Sequence, residues 1–266
     1  MIPAERQQFI LTCLAERDVV SIAELIDKLG VSHMTVRRDI QVLEQSGRVA
    51  SVTGGVRLSR RLDQELPHLQ KIEINADEKQ AIGRAAAGLV GDGMVVYLDA
   101  GTTTLEIARR IAGRRNLTVV TNDFVICAWL STQSDCTLYH SGGLVERDNQ
   151  SCVGGAASEA LARFNYDIAF ISTSSWTLAG LSSPSELKGP VKKVAVGQAG
   201  RSVLVSDSTK YRVIAAMNIL PMTVFDTVVT DRQIEPDAAA ALREMGVEVI
   251  LADAPETDQM SKGEAE

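Results

Sequence analysis

The sequence predicts an α/β protein in two parts: a small helical head closed by a β-hairpin, then a larger body of mostly parallel strands alternating with helices. Three observations predict it. Helical periodicity with capping residues fills most of residues 1–58 and ends in an alternating stretch broken by Gly54-Gly55. Beyond residue 76, short continuous apolar runs recur between helical stretches, the pattern of strands covered on both faces. The charge divides at the same place. Residues 1–61 carry nine Lys/Arg against seven Asp/Glu, and the remainder carries 18 against 27. A relatively basic piece on an acidic body suits a nucleic-acid-contacting head on a domain with another task.

The head opens with a helix that Pro3 starts, that Ile10, Leu11 and Leu14 stripe, and that ends near Arg17-Asp18. Val19-Val20 is a short extended piece. Ser21-Ile22-Ala23-Glu24 reads as a capping box for a second helix, buried through Ile22, Leu25, Ile26 and Leu29 and stopped at Gly30. Ser32 caps a third helix running to about Ser46, with Val36, Ile40 and Leu43 facing a core. Ser32, His33, Thr35, Arg37 and Arg38 lie mostly off that stripe near the helix start, where a recognition helix meets base edges and phosphates. A solvated face carrying two arginines is the alternative. Arg48 to Thr53 alternates, Gly54-Gly55 turns and Val56-Arg57-Leu58 returns: a wing, flanked by Arg48 and Arg57 in reach of phosphates.

Residues 59–75 read as a linker: Ser59 to Pro67 is polar and mixed in charge, and Pro67 blocks a continuous helix. In the body, residues 76–253, a helix over Ala76–Val90 precedes strand candidates Met94–Leu98, Leu117–Thr121, Thr137–His140, Ile168–Ser172, Ser202–Ser206, Thr227–Thr230 and Val247–Leu251. Ligands of such sheets bind at the carboxyl ends of the strands. There the first strand gives Asp99-Ala100-Gly101-Thr102-Thr103-Thr104, a small hydroxyl-rich loop feeding a helix over Leu105–Ile111. Free N–H groups, hydroxyls and a positive dipole end make a phosphate cradle, though an N-cap without a ligand explains the same residues. The second strand ends at Thr121-Asn122-Asp123, the third at Ser141-Gly142-Gly143 and the fifth at Asp207-Ser208-Thr209-Lys210. Lys210 could face a sugar phosphate and Asp207 a hydroxyl, or Asp207 could cap a turn. Lys192, on a helix over Ser185–Ala199, could point inward or pair with Lys193 in solvent. Residues 254–266 read as a disordered tail.

The chain has 266 residues, 45% apolar and 23% charged, with net charge -7: ordinary for a globular protein and no polycation. Cys13, Cys127, Cys136 and Cys152 form no C-x-x-C pair and suit a reducing compartment. His33, His68 and His140 are scattered, so no metal site is expected. No secretory h-region and no apolar run of membrane length is seen, so the expected location is cytoplasmic, with no membrane partner.

The run Ser21 to Gly55, with V-S-x-x-T-V-R-R-D-I-x-x-L-E-x-x-G, resembles the winged helix-turn-helix of the DeoR family of bacterial transcriptional regulators. Thr53 stands where that family often has a His. The body runs L-D-A-G-T-T-T, T-V-V-T-N, S-G-G, D-x-A-F-I-S, V-K-K and V-S-D-S-T-K resemble the family's sensor domain, related in fold to ribose-5-phosphate isomerase. The resemblance implies an effector pocket of Asp99, Gly101, Thr102, Thr103, Thr121, Asn122, Gly142, Gly143, Lys192, Asp207 and Lys210. It implies a phosphorylated sugar or sugar-acid effector, double-stranded operator DNA, a homo-oligomer and no cofactor. Two departures stand out: Arg212 replaces a common Gly, and Lys188-Gly189-Pro190 replaces an acidic segment. Trp176 could wall the pocket or simply pack. The expectation is a repressor of carbohydrate or sugar-acid catabolic genes. The competing class is a sugar-phosphate isomerase or deaminase with an appended head, and a third reading is an adaptor whose head never meets DNA.

Overall fold

The computed structural model describes residues 1–17, 19–52 and 54–253. Asp18, Thr53 and the expected tail at 254–266 lie outside the described residues.

The head contains α1 (Pro3–Glu16), β1 (Val19–Ser21), α2 (Ile22–Leu29), α3 (His33–Gln45), β2 (Val49–Val52) and β3 (Gly55–Leu58). Local chemistry sets these boundaries. The Ser21 and Ser32 hydroxyls accept the N–H groups of Glu24 and Thr35, and Gly30 closes α2 at φ 63° with its N–H on the Ile26 carbonyl. The expected capping box is only half formed. The Glu24 carboxylate turns outward to Arg17 and Lys28, each at 2.9 Å. Ile10, Leu14, Leu25, Val36, Ile40, Leu43 and Val56 form one core. The wing is three-stranded, β1-β3-β2, and antiparallel.

The linker is not the plain joint its composition suggests. It forms β4 (Arg60–Leu62) and α4 (His68–Glu73), followed by α5 (Ala76–Ala87), three residues shorter than expected. The body continues with β5 (Val95–Leu98), α6 (Thr102–Ile111), β6 (Thr118–Thr121), α7 (Phe124–Gln133) and β7 (Thr137–His140). Next come the hairpin β8 (Leu144–Glu146) and β9 (Ser151–Val153), α8 (Gly154–Leu161), β10 (Ile168–Ser172), β11 (Trp176–Thr177), β12 (Gly180–Ser183) and α9 (Lys188–Gly197). The last part holds β13 (Ser202–Val205), β14 (Val213–Ala215), β15 (Met217–Pro221), β16 (Thr227–Asp231), α10 (Pro236–Glu244) and β17 (Glu248–Ala252).

Every strand predicted in the body enters one seven-stranded sheet, β17-β16-β13-β10-β5-β6-β7, and all six pairings are parallel. Side chains alternate between two cores: Val96, Leu98, Val119 and Phe170 on one face, Tyr97, Val120, Ala169 and Ile171 on the other. The chain winds outward in opposite directions from β5 and β10, so the crevice of a doubly wound sheet opens beyond the ends of these two strands. A small antiparallel sheet, β11-β12-β15, lies apart from it.

Head, linker and body meet on β14. β4 pairs with it in parallel, Arg60 to Leu62 against Val213 to Ala215. A Cβ on Gly47, at the exit of α3, would stand 3.0 Å from the Ile214 side chain. α5 and α6 cross at Gly83, where a Cβ would stand 2.6 Å from Glu106 Cβ. Gly83→Ala should therefore cost about 1–3 kcal/mol in urea unfolding. Gly113→Ala, with nothing within 4 Å, should stay within about 0.5 kcal/mol.

Candidate functional site

Two surfaces carry chemistry. The first is the amino end of α3. Ser32, His33, Arg37 and Arg38 are exposed and Thr35 is half-buried, its hydroxyl 3.0 Å from that of Ser32. Arg48 is exposed at the foot of the wing, and Arg57 is half-buried on β3. The helix is held from behind. Asp39 is 3% exposed and accepts Arg6 Nε at 2.6 Å and a second guanidinium nitrogen at 3.1 Å, tying α1 to α3. Sequence reading passed over this pair because its members lie on separate helices.

The second is a polar pocket at the crevice between β5 and β10. Asp99, just beyond β5, accepts the Ser172 N–H at 3.0 Å and its hydroxyl at 3.2 Å. Lys192 reaches inward from α9, pairs with Asp99 and donates to the Ser172 carbonyl at 2.9 Å. That settles which way Lys192 points. Gly101, Thr102 and Thr103 line the pocket, as do Asn122 and Lys210. A side chain at Gly101 would meet Ser172 Oγ at 2.7 Å, so the close approach requires glycine.

Several expectations need correction. The Gly-Thr-Thr-Thr segment is no loop: Gly101 is the N-cap and Thr102 to Thr104 are the first turn of α6. The Gly101 N–H is taken by Asp123 at 3.1 Å, and Thr104 donates to the Asp99 and Gly101 carbonyls. Asn122 braces the site, accepting Tyr97 O–H and Ala100 N–H while donating to the Cys152 carbonyl. Thr121 does not line the pocket; its hydroxyl donates to the Leu98 carbonyl at 2.7 Å. Gly142 and Gly143 do not line it either, and a Cβ on Gly143 would meet Ala157. Asp207 is fully buried behind Lys210, 3.0 Å away, and accepts Asn75 Nδ2 at 3.1 Å. Burial pushes its carboxyl up, but Lys210 and Thr209 outweigh that and hold it below the usual range. Trp176 is packing, not a wall: it is fully buried, donates to Ser206 Oγ at 3.0 Å and packs against the tilted ring of Tyr211, centroids 4.8 Å apart. Arg212 takes φ 61°, the left-handed backbone that glycine adopts freely, and anchors on Glu235 at 2.6 Å.

Three charged pocket residues were not among the residues the sequence assigned to the site: Glu65, Lys71 and Lys188. Glu65 lies between the two lysines, 2.9 Å from Lys188 and 3.2 Å from Lys71. Lys188 was visible only as a departure from an acidic segment. Burial pushes the Glu65 carboxyl up, yet Lys188 and Lys71 overcome this and hold it at about 2. Lys71 is depressed by burial, with Glu65 only partly restoring it. Behind it, buried Lys79 donates to the Lys71 and Ile74 carbonyls, and burial brings its pKa down to about 8. No cluster of metal-ligating side chains occurs among the described residues. The lining is therefore four lysines, two carboxylates and several hydroxyls, groups complementary in charge and hydrogen bonding to a polyhydroxylated anion.

Comparison with known proteins assigns both parts of the chain to one family. Residues 6–61 match the DeoR-like helix-turn-helix domain, and residues 74–232 match the DeoR C terminal sensor domain. The chain belongs to the DeoR family of transcriptional regulators. A helix-turn-helix-type regulator from Haemophilus influenzae is 48% identical over 94% of this chain and 98% of its own length. Escherichia coli YgbI is 47% identical over 95% and 99%. The lactose phosphotransferase system repressor of Lactococcus lactis is 30% identical over 87% and 92%. Among solved structures, ribose 5-phosphate isomerase A from Methanocaldococcus jannaschii is similar to 52% of this chain and 55% of that one, at 21% identity and TM-score 0.39. No helix among the described residues is long and apolar enough to cross a membrane.

The Glu65 pairing has a pH signature. Its folded pKa of about 2 lies below the ordinary 4.5, so its contribution is complete above pH 4.5 and is lost as pH falls toward 2. The amount is about 3 kcal/mol. Glu65→Gln should flatten that acid limb in urea titrations run between pH 2 and 5.

Proposed function

We propose that this DeoR-family regulator is a repressor of genes for taking up or breaking down a sugar or sugar acid. A phosphorylated form of that compound enters the body pocket and weakens the grip of the head on operator DNA. One observation carries the reading: Lys71, Lys188, Lys192 and Lys210 converge with hydroxyls at the switch point of a parallel sheet, beside the first turn of α6. Relatives named as repressors of lactose and aga operons support it.

In this reading Ser32, His33, Thr35, Arg37 and Arg38 face the major groove, and Arg48 and Arg57 contact phosphates. The effector acts only through unequal affinity for DNA-competent and DNA-released states. Lys210 stands at the pocket and β14 follows three residues on, beneath the exit of α3. That short path gives pocket and head a shared element. Two copies place two heads on a paired site. Leu66 and Leu69 of the linker and Leu144 and Val145 of β8 are exposed on segments drawn together by Lys71–Asn149, and offer an apolar face for pairing.

Arg37→Ala with Arg38→Ala should weaken operator binding at least 100-fold and lower its salt slope by up to about 2, with the body still folded. Equal affinity at matched salt overturns the head assignment. D-Ribose 5-phosphate and phosphorylated aldonates, screened by thermal shift, should include a stabiliser whose affinity falls at least tenfold in Lys210→Ala, while effector-free DNA binding is kept. Turnover of a sugar phosphate by the purified chain would instead favour the enzyme reading.

A further inference from the structure

We propose that Glu65 is a built-in occupant of the anion seat. It is a linker carboxylate that the effector's own anionic group must displace, so that filling the pocket frees the linker between head and body. The inference rests on the pocket being the effector site.

Three observations point the same way. First, charge pairing inside the pocket is divided. Asp99 answers Lys192 and Asp207 answers Lys210, so Lys71 and Lys188 share Glu65 between them. Glu146, 3.3 Å from Lys188, is the one further carboxylate paired with these two lysines among the described residues. A single carboxylate between two ammonium groups is the position a phosphate or carboxylate ligand would take. Second, the space left inside the pocket is about 40 Å³, room for a few waters. A sugar phosphate is taken fully inside only if something lining the pocket withdraws, and Glu65 is the lining carboxylate that the linker carries. Third, the linker is held at both sides of Glu65. β4, three residues before it, pairs with β14, and Lys71, four residues beyond Pro67, belongs to α4, whose His68 N–H donates to the Asp148 carbonyl at 2.7 Å. Withdrawal of Glu65 removes the charge contact between these two attachments and loosens the strand that seats the head.

An internal competitor lowers apparent affinity by the fraction of molecules in which the seat is open. Removing its charge should therefore tighten ligand binding, the reverse of what loss of a ligand contact does. The test is calorimetry on the full chain with inorganic phosphate and with D-ribose 5-phosphate, beside limited trypsin digestion at Arg60 and Arg61. Glu65→Gln should bind phosphate about tenfold or more tightly and be cut faster at Arg60-Arg61 without ligand. Saturating phosphate should bring the wild-type chain to that same cutting rate. Asp63→Asn, altered at an exposed linker carboxylate, should match wild type in both assays. Should Glu65→Gln fold poorly, Glu65→Asp keeps the charge but shortens its reach, and should show the same changes in smaller measure. Binding by wild type with equal or weaker binding by the Glu65 variants overturns the occupant and leaves the pocket standing. Binding of neither probe by wild type or variants overturns the pocket reading and the occupant with it.

Discussion

An ammonium taken out of water must be paired, and this fold takes four of them to one end of one sheet. Lys71, Lys188, Lys192 and Lys210 all have side chains no more than 21% exposed. The cost of burying each is several kcal/mol unless a carboxylate or carbonyl answers it. Asp99, Asp207 and Glu65 are those answers, and they fix much else. Asp99 sets the end of β5 against β10 through Ser172. Asp207 ties the β13 exit to Asn75 at the start of α5. Glu65 ties the linker to both α4 and α9. The pocket is thus a junction of β5, β10, α5, α9 and the linker.

The head is organised on the opposite principle. Its reading face is exposed and unburdened, and rigidity comes from behind, through Asp39 held by Arg6 and the Leu25–Val36–Ile40 core. Separating the reading surface from the residues that support it leaves Arg37 and Arg38 available to a partner, while α3 keeps its angle to α1. In the proposed reading arginines suit this face because their planar fork matches phosphates and guanine edges.

How much of this was legible before the structure depends on how local the signal is. The recognition helix was readable residue by residue, since caps, stripe and outward face lie within Ser32–Leu43. Strands buried on both faces announced themselves as apolar runs, so all seven members of the sheet were visible. β4 was not: Arg60-Arg61-Leu62 has no apolar run, because it is paired through its backbone at β14 and leaves its arginines in solvent. Glu65, Lys71 and Lys188 were invisible for a different reason. Each is an ordinary charged residue in its own segment, and only the winding of the chain places both lysines within 3.2 Å of Glu65. Thr121 and Gly143 show the converse. Their segments end at the correct edge of the sheet, but the Thr121 hydroxyl is consumed by Leu98 and Gly143 backs onto Ala157.

The same contrast explains why the linker, and not the sheet, suits a change of state. The central sheet is buried on both faces, and its parallel ladder cannot slip by one residue without moving every side chain to the wrong core. The β4–β14 ladder spans three residues per strand at the surface, far below what holds by itself in water. Elements of low local stability are the ones that open first. A three-residue ladder kept in place by a neighbouring ion pair converts a small electrostatic difference in the pocket into a difference in where the head is seated. A stiff linker helix would transmit strain without such a threshold. A wholly free linker would transmit nothing.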